Sequence, residues 1–419
     1  MGSANSTMAP LQTLLLALLF ATAGHASSLP RAGCSVDVNR SKMPSPQPLL
    51  LKPGGSKDVH GFVTPDSSGE ISLSQNQQII IACPGNIIQA TKQPQATASC
   101  VSGSTFSING TSYNFTDLAC KSKPKPSERI PGQSCGSRGQ YQVVQLGFQV
   151  GPDFYTLIDA CFDDRSYSTV YDHFTMVAEI GGKQNYSRRS EWLCGTFFSN
   201  IDMAYYYNRT TQVNTVGRLL GDPKLGSKYI YETNSTSARE DYFLSKGHLT
   251  ANADFSLIAQ RYVTFFYMNS APQWQTFNNG NWKTMEENVR SYAASNETEL
   301  EIYTGTHGIT TLPNVTNYQT GLFLCVDGGN YIPVAKLFWK IVYKAVTQAA
   351  VVFLGVNNPY INKPGSDYYI CKDVCPNITW IEWEANNQTM GYSYCCEYDD
   401  FKKSVVDAPR LNVTSLLTK

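Results

Sequence analysis

The spacing of apolar residues predicts short strands in the first third of the chain. The run QIIIAC at 78–83 is typical of a buried strand. In TFSINGTSYNF at 105–115, apolar and polar residues alternate on both sides of Asn109-Gly110, which predicts a β-hairpin. Four cysteines fall in the same part of the chain: Cys34, Cys83, Cys100 and Cys120. We therefore expect a small, disulfide-rich, all-β domain over residues 27–120.

Longer apolar runs follow. The sequence YQVVQLGFQV-GPD-FYTLIDACF at 141–162 predicts a hairpin that turns near Gly151-Pro152. The sequence KLFWKIVYKAVTQAAVVFLGV at 336–356 predicts two β-branched strands joined by a polar turn. VTFFYM at 263–268 predicts another buried strand, which Pro272 would close.

A helix is predicted from about Trp282. Three apolar residues recur at i, i+4 and i+7 and form one stripe: Met285, Val289 and Tyr292. Asn279 and Asn281 are candidates to cap its start. On a neighbouring face, Glu286 and Arg290 are four residues apart and can pair. Taken alone, such a pair is an exposed helix salt bridge that contributes a few tenths of a kcal/mol.

The stretch KSKPKPSERIPG at 121–132 separates the two regions. Its prolines disfavour regular structure, so we expect a linker over residues 121–135. A basic arm that contacts phosphates is the functional alternative. With 419 residues the chain suits two domains, and the mixed region 136–410 would form the second.

Several features predict secretion. Residues 1–26 have the form of a signal peptide, with an apolar run too short to span a bilayer and an A-x-A-like site near Ala26. Eleven N-x-S/T sequons and an even number of cysteines, twelve, also favour a secreted protein. No later segment has about 20 consecutive apolar residues, so no membrane span is expected. Four late cysteines suit disulfides or, alternatively, zinc half-sites: Cys371, Cys375, Cys395 and Cys396.

Charge adds little. Lys+Arg and Asp+Glu both number 33, so the formal net charge is zero. This lacks the basic excess of a typical nucleic-acid binder. Net charge does not exclude a local site, however, because it reports on solubility and long-range steering.

One stretch combines residues that suit phosphodiester hydrolysis. LSKGHLTANADF at 244–255 contains Lys246 and His248, and a helix preceded by Asn278 follows. Imidazole titrates near neutral pH and suits a general base. An amide oxygen is an acceptable Mg²⁺ ligand, and a lysine and an arginine can bind a phosphate and its transition state. A strand, a second strand and a helix would bring these groups together as a ββα unit.

The sequence SKGHLTANADF…FFYMNSAPQWQTFNNGNWKTMEENVR resembles the DNA/RNA non-specific endonuclease family, the ββα-metal nucleases whose motif is usually D-R-G-H. It is most similar to a secreted arthropod branch that includes the crustacean duplex-specific nucleases. That branch is also similar at KLFWKIVY, GVNNP, CPNITWIEW and YSYCC, so the likeness covers roughly residues 136 to 405. The resemblance implies an α+β fold, with a ββα-metal nuclease core on a mixed or antiparallel sheet.

The resemblance also implies a catalytic centre. His248 would be the general base that activates the attacking water. Asn278 would be the only direct protein ligand of one Mg²⁺, with Mn²⁺ as an alternative ion. Glu286 would hold and orient metal-bound water.

Further residues would surround the phosphate. Lys246 and Arg290 would contact it, and Asn269 and Gln273 would shape the substrate site. Arg218, in VGRLLGDP, would be an additional phosphate-contacting arginine.

Two positions depart from the family motif. Ser245 replaces the usual aspartate, and Lys246 replaces the usual arginine. A lysine keeps the positive charge but gives up the bidentate fork, which bears on phosphate geometry and substrate range.

The resemblance implies a secreted Mg²⁺-dependent endonuclease that prefers double-stranded DNA and leaves 5′-phosphate ends. A broad digestive nuclease acting on DNA and RNA, including double-stranded RNA, is the alternative. A secreted binding protein that has lost catalysis is a third hypothesis, but the complete set of catalytic residue types favours an enzyme.

Other candidates are expected to be structural. Three histidines have no partner pattern around them: His60, His173 and His307. The acidic pairs Asp163-Asp164 and Asp399-Asp400 are expected at turns or on the surface. The run Tyr205–Tyr207 predicts a half-buried strand or, alternatively, a base-stacking platform.

Overall fold

The predicted N-terminal hairpin is part of a small β-sheet. In the computed structural model, which describes residues 33–40, 42–185, 190–233 and 241–419, this region contains seven strands; the predicted signal peptide lies outside the described residues. They are β1 (Cys34–Asp37), β2 (Leu49–Leu51), β3 (Glu70–Leu73), β4 (Gln78–Ala82), β5 (Gln95–Ser102), β6 (Thr105–Ile108) and β7 (Thr111–Asn114). Five form a sheet in the order β2-β4-β5-β6-β7, and β1 pairs with β3.

The Asn-Gly turn and the buried run behave as predicted. Asn109 and Gly110 join β6 to β7 with φ values of 50° and 81°, the positive values that a tight hairpin turn requires. The run QIIIAC supplies β4. Disulfides link Cys34 to Cys100 and Cys83 to Cys120.

The rest of the chain adds sixteen strands and seven helices within the described ranges. The first are β8 (Ser127–Arg129), β9 (Ser134–Cys135), β10 (Tyr141–Val150), β11 (Asp153–Asp163), β12 (Ser168–Met176), α1 (Met203–Tyr206), α2 (Arg209–Leu220) and α3 (Pro223–Tyr229). The next are β13 (Leu244–His248), α4 (Ile258–Arg261), β14 (Ser270–Trp274), α5 (Gln275–Phe277) and α6 (Lys283–Ser295). The last are β15 (Leu300–Ile309), β16 (Thr311–Pro313), β17 (Gln319–Gly321), β18 (Phe323–Cys325), β19 (Tyr331–Pro333), β20 (Ala335–Lys344), β21 (Ala349–Val356), β22 (Ser393–Cys396), α7 (Tyr398–Ser404) and β23 (Ser415–Leu416).

A ten-stranded sheet dominates this region. Its order is β22-β21-β20-β15-β12-β11-β10-β8, with β9 on β10 and β23 on β21. The β23 pairing is parallel and the others are antiparallel, so the sheet is mixed. Both predicted hairpins, β10–β11 and β20–β21, are confirmed. The architecture is α+β, as the sequence predicted.

The two faces of this sheet bury different layers because successive side chains of a strand point to opposite sides. On β20, Phe338 packs in the core that also contains Trp274 of β14 and Val289 of α6. Its neighbour Trp339 points to the other face, where Phe401 of α7 covers it. The β13–β14 hairpin and α6 therefore share one face of the sheet, opposite α7.

Three local predictions were wrong. Residues 263–268 were expected to form a strand, but 3₁₀ turns occupy Tyr262–Phe265 and Tyr267–Asn269, and the strand begins at Ser270. The strand tolerates Pro272 because the only strand it pairs with in the described structure is β13.

The expected asparagine cap of α6 is also absent. A π-type turn at Asn278–Trp282, kinked at Gly280, connects α5 to α6, so the helical path is nearly continuous and no side chain caps it. Asn281 Nδ2 instead donates to the carbonyls of Glu384 and Gly391. Tyr205 and Tyr206 lie in α1 rather than in a strand.

The segment expected to be irregular contains β8 and β9, which both pair with β10. Ala32–Lys419 form one compact unit. The division into domains at 27–120 and 136–410 stays a prediction.

The late cysteines form disulfides, Cys371–Cys396 and Cys375–Cys395, so the zinc alternative is excluded. A further bridge joins Cys135 to Cys161. Across the described ranges, the helices are all too short or too polar to cross a bilayer.

Candidate active site

His248 lies at the end of β13, beside a cleft of about 580 Å³. Two aromatic rings fix its imidazole: the Trp192 ring centroid is 4.8 Å away and that of Phe265 is 5.4 Å away. Opposite His248 in the ladder is Ser270 of β14. The imidazole is half-buried, so it can be held in one orientation and still reach the cleft.

A short hydrogen-bond chain orients Asn278 in the same cleft. Ser245 Oγ donates to the carbonyl of Gln273 at 2.9 Å, and a carbonyl can only accept. The Ser245 hydroxyl must therefore accept its other hydrogen bond, which Asn278 Nδ2 donates at 3.2 Å. This assigns the amide nitrogen of Asn278 to Ser245 and leaves its Oδ1 for a ligand. The serine that replaces the usual aspartate thus has a defined partner.

Lys246 lies among three aromatic rings that also line or border the cleft. Its Nζ is 5.7 Å from the ring centroid of Trp192, 5.2 Å from that of Tyr207 and 5.9 Å from that of Tyr267. A ring face attracts a cation at such distances. The compact ammonium fits between the rings, where a planar guanidinium would need more room.

Glu286 and Arg290 enter the cleft from α6. Arg290 does not pair with Glu286 as the spacing suggested; its Nη1 lies 2.6 Å from Asp254 Oδ1, and this ion pair is buried. Burial and the nearby charge of Asp254 raise the pKa of Glu286 to about 7, although Lys340 and Arg290 oppose the shift. The Glu286 carboxyl is therefore partly protonated near neutral pH.

A buried polar layer of the large sheet supports the chain that follows His248. Lys340 Nζ of β20 donates to the carbonyl of Leu249, the residue after His248, at 3.2 Å. Thr250 Oγ1 donates to Asp172 Oδ2 of β12 at 2.6 Å. Burial raises the pKa of Asp172 to about 6, against the charge of Lys340 and the hydrogen bond from Thr250. The chain after His248 is thus fixed to two sheet strands.

Five of the predicted site residues line this one cleft: Lys246, His248, Asn278, Glu286 and Arg290. The other three lie elsewhere. Asn269 is fully buried and its amide bonds only to backbone, at Thr250 and Thr264. Gln273 is fully buried beneath Gly247. Arg218 is on α2, in an exposed ion pair with Asp327 at 2.9 Å.

The remaining histidines lie outside the lining of the cleft. His60 is exposed and lies 3.4 Å from Glu299. His173 lies between Asp159 and Glu301 on the sheet, where burial opposes but these carboxylates raise its pKa to about 9. Burial lowers the pKa of His307, as does the charge of Lys336.

Sequence reasoning missed the residues that hold the catalytic ones. Trp192 and Tyr207 precede His248 by more than 40 residues, and no local pattern links them. Asp254 was inside the quoted motif stretch, and an acid near a predicted arginine was a usable signal. Asp172 and Lys340 were hidden in apolar strands because their partners lie across the sheet.

The raised pKa of Glu286 predicts a pH effect on stability. A carboxyl whose folded pKa exceeds its unfolded value stabilises the fold below the unfolded pKa, and this stabilisation is lost as the pH rises through the folded pKa. In metal-free protein, the melting temperature of wild type should therefore fall between about pH 4.5 and 7 relative to that of Glu286→Gln.

The measurement is thermal unfolding in EDTA across this pH range. Glu287→Gln removes the neighbouring carboxylate, which is exposed and contributes less to the Glu286 shift than burial and Asp254 do, so it should keep most of the wild-type profile. Parallel profiles for wild type and Glu286→Gln would contradict the assignment of the shifted carboxyl.

Comparisons with known proteins identify the family of this chain. Residues 139–401 match the model of the DNA/RNA non-specific endonuclease family. The chain is 26% identical to a salivary endonuclease of Lutzomyia longipalpis, over 93% of this chain and 88% of that protein. It is 25% identical to a salivary endonuclease of Culex quinquefasciatus, over 71% and 75%. It is 23% identical to the salivary protein Tsal2A of Glossina morsitans morsitans, over 92% and 94%.

The family match spans more than half of the chain and contains the whole ββα unit with its cleft. Two of these relatives are named as salivary endonucleases. The chain therefore belongs to the DNA/RNA non-specific endonuclease family, in its arthropod branch, and is a nuclease.

Proposed function

We propose that this protein is a secreted Mg²⁺-dependent endonuclease that prefers double-stranded DNA and leaves 5′-phosphate ends. One observation carries the proposal: a candidate base, an amide oxygen, a carboxyl and two cations line a single cleft. Secretion is supported by the leader-like N-terminus, the sequons and the five disulfides.

The cleft fits a hard divalent cation. Asn278 is oriented by Ser245 so that its amide oxygen is the group left for a ligand, and Glu286 lines the same cleft. Mg²⁺ prefers oxygen ligands and retains several waters, so one protein oxygen is enough, and Mn²⁺ is an alternative. When bound, the ion would polarise the phosphate and neutralise charge that develops on it.

The reaction follows from the placement of the side chains. His248 takes a proton from a water as the oxygen of that water bonds to phosphorus. The bond from phosphorus to the 3′ oxygen breaks in line, and that oxygen takes up a proton from a solvent water as it leaves. Glu286 orients a water in the cleft, and Lys246 and Arg290 stabilise the extra negative charge of the transition state.

The supporting contacts explain why these groups are ready to act. The rings of Trp192 and Phe265 restrict the imidazole, and the Arg290–Asp254 pair fixes the guanidinium within a buried site. A preorganised charge in a site of low dielectric costs little reorganisation during the reaction. Arg218, Asn269 and Gln273 do not line the cleft, so Arg218 is left out. The Asn269 amide supports the chain after His248 by its bonds to Thr250, and Gln273 packs beneath Gly247.

Cleavage of four matched substrates tests the proposal. Purified protein is given double-stranded DNA, single-stranded DNA, double-stranded RNA and single-stranded RNA of one sequence, with Mg²⁺ or with EDTA, and the product ends are mapped. We expect duplex DNA to be cleaved fastest, EDTA to stop cleavage, and 5′-phosphates on the products.

Each component of the proposal has its own contrary outcome. Equal rates on DNA and RNA would support a broad digestive nuclease. Cleavage that persists in EDTA would exclude the metal, and 5′-hydroxyl ends would exclude departure of the 3′ oxygen. Tight binding without any cleavage would support a binding protein instead of an enzyme.

A further inference from the structure

A second cavity, of about 630 Å³, lies between the N-terminal strands and the segment that follows the catalytic strand. Polar and aromatic side chains line much of it: Gln47, Lys123, Gln184, Asn185 and Tyr262. It shares no lining residue with the catalytic cleft. The catalytic proposal therefore leaves this cavity without a role.

The basic segment at 121–126 is fixed beside this cavity. The backbone N–H of Lys121 donates to the carbonyl of Ile87 at 2.8 Å, and that of Lys125 donates to the carbonyl of Pro84 at 2.9 Å. These bonds hold the backbone on both sides of Lys123. The segment therefore fixes the backbone position of Lys123 and does not act as a flexible linker.

The ammonium of Lys123 is held in place by two neighbouring side chains. It lies 5.6 Å from the ring centroid of Tyr262 and 3.4 Å from Ser190 Oγ. Both neighbours are uncharged, and within the described ranges no carboxylate lies at ion-pair distance from it. An exposed cation fixed beside a cavity suits an anionic ligand.

Gln47 supplies a second donor. Its side chain is only 4% exposed, and its Oε1 accepts from the N–H of Ala259 at 3.2 Å. Its Nε2 is buried and has no hydrogen-bond partner among the described residues. A buried donor without an acceptor costs about 1–3 kcal/mol. Because Gln47 lines the cavity, an acceptor bound there would remove this cost.

The ring beside Lys123 belongs to a segment that continues to the catalytic cleft. Tyr262, whose ring lies 5.6 Å from Lys123 Nζ, begins the 3₁₀ turn Tyr262–Phe265. Phe265 lines the catalytic cleft. We call this path from Lys123 to the catalytic cleft the track.

The span of the track fits several phosphates. Ile258 lines the second cavity and Phe265 lines the catalytic cleft, and the segment between them is α4 followed by a 3₁₀ turn. At a rise of about 1.5–2.0 Å per residue, this segment covers roughly 10–14 Å. A duplex carries one negative charge per about 1.7 Å of its axis, so a bound duplex would present several phosphates along it.

We propose that Lys123 binds the phosphate backbone of a duplex whose scissile phosphate lies in the catalytic cleft, with the Gln47 amide as a neutral donor beside it. This inference rests on the proposed function. It gives the N-terminal region a role in holding the substrate, because that region mounts Lys123 and supplies Gln47.

Salt dependence of binding tests the proposal. All variants are made in the full chain with His248→Ala, and binding of a labelled DNA duplex is measured by fluorescence anisotropy in EDTA. Each phosphate contact changes the slope of log K against log salt by about 0.9. Between about 50 and 200 mM salt, wild-type Lys123 protein should lose about 3.5-fold more affinity than Lys123→Gln.

Lys403→Gln is the matched control. Lys403 is an exposed lysine of α7, which packs on the opposite face of the sheet, so its removal should leave the slope unchanged. In protein with His248 intact, Lys123→Gln should raise KM for the duplex and leave kcat unchanged. On an oligonucleotide too short to extend beyond the catalytic cleft, the cleavage rate of Lys123→Gln should equal that of wild type.

Three results would overturn the proposal. One is an unchanged salt slope in Lys123→Gln while wild type cleaves duplex DNA normally. Another is an equal loss of slope in Lys403→Gln, which would show only a general effect of net charge. The third is weaker binding without a change of slope, which would indicate that Lys123 affects binding without contacting a phosphate. If wild-type protein cleaves no nucleic acid, the proposed function itself fails.

Discussion

Replacing His248 with alanine is expected to lower kcat on duplex DNA by about 10²–10⁴-fold, because a positioned general base contributes a factor of that size. The loss should fall on kcat more than on KM, since the imidazole acts on the attacking water and not on the phosphate backbone. The measurement is steady-state cleavage in Mg²⁺ at saturating substrate.

His60→Ala is the control for the loss of an imidazole. His60 is exposed and paired with Glu299, and it lies outside the lining of the cleft, so this variant should keep wild-type kcat. Melting temperatures of both variants should stay near that of wild type, because His248 is only half-buried. A His248→Ala protein that retains most of its kcat would remove His248 as the base.

Replacing Asn278 with alanine should produce the second large effect. The change deletes the amide oxygen that Ser245 orients into the cleft. We expect kcat at a fixed metal concentration to fall by about 10²-fold or more, since even groups that only support a metal ligand change affinity or activity by 10–100-fold. The measurement is rate as a function of added Mg²⁺ and Mn²⁺, together with calorimetric binding of Mn²⁺ to the protein alone.

The adjacent Asn279 offers a matched control. It also lines the cleft, but no hydrogen bond to Ser245 orients it. Asn279→Ala should keep the metal affinity of wild type. If Asn278→Ala binds Mn²⁺ as tightly as wild type, or if Asn279→Ala loses binding instead, the ligand has been assigned to the wrong asparagine.

Predictions from the sequence were reliable where a local pattern had one physical solution. Asn109-Gly110 admitted one kind of hairpin, and β10–β11 and β20–β21 followed from long apolar runs with a polar turn between them. Predictions failed where tertiary packing overrode the pattern. The apolar run at 263–268 reads as a strand, yet it folds as 3₁₀ turns because its side chains all enter the core.

The candidate site shows the same division. Motif spacing brought five residues into one cleft because they lie within a single ββα unit, whose geometry is local. Arg218 was assigned by its distance along the chain from the motif, and that distance does not constrain where a separate helix packs. The structure places it in an ion pair with Asp327 instead.

The sequence by itself determined several strands and hairpins and, through its resemblance to known nucleases, the family and the α+β class. Hydrophobic periodicity and short motifs carry this information, because they can be recognised without knowledge of long-range contacts. The tertiary structure alone decided which partners hold those residues. Asp254 takes Arg290 away from Glu286, three rings surround Lys246, and Lys340 supports the strand of His248 from across the sheet. Such contacts join segments far apart in sequence, and only the packing of the whole chain brings them within reach.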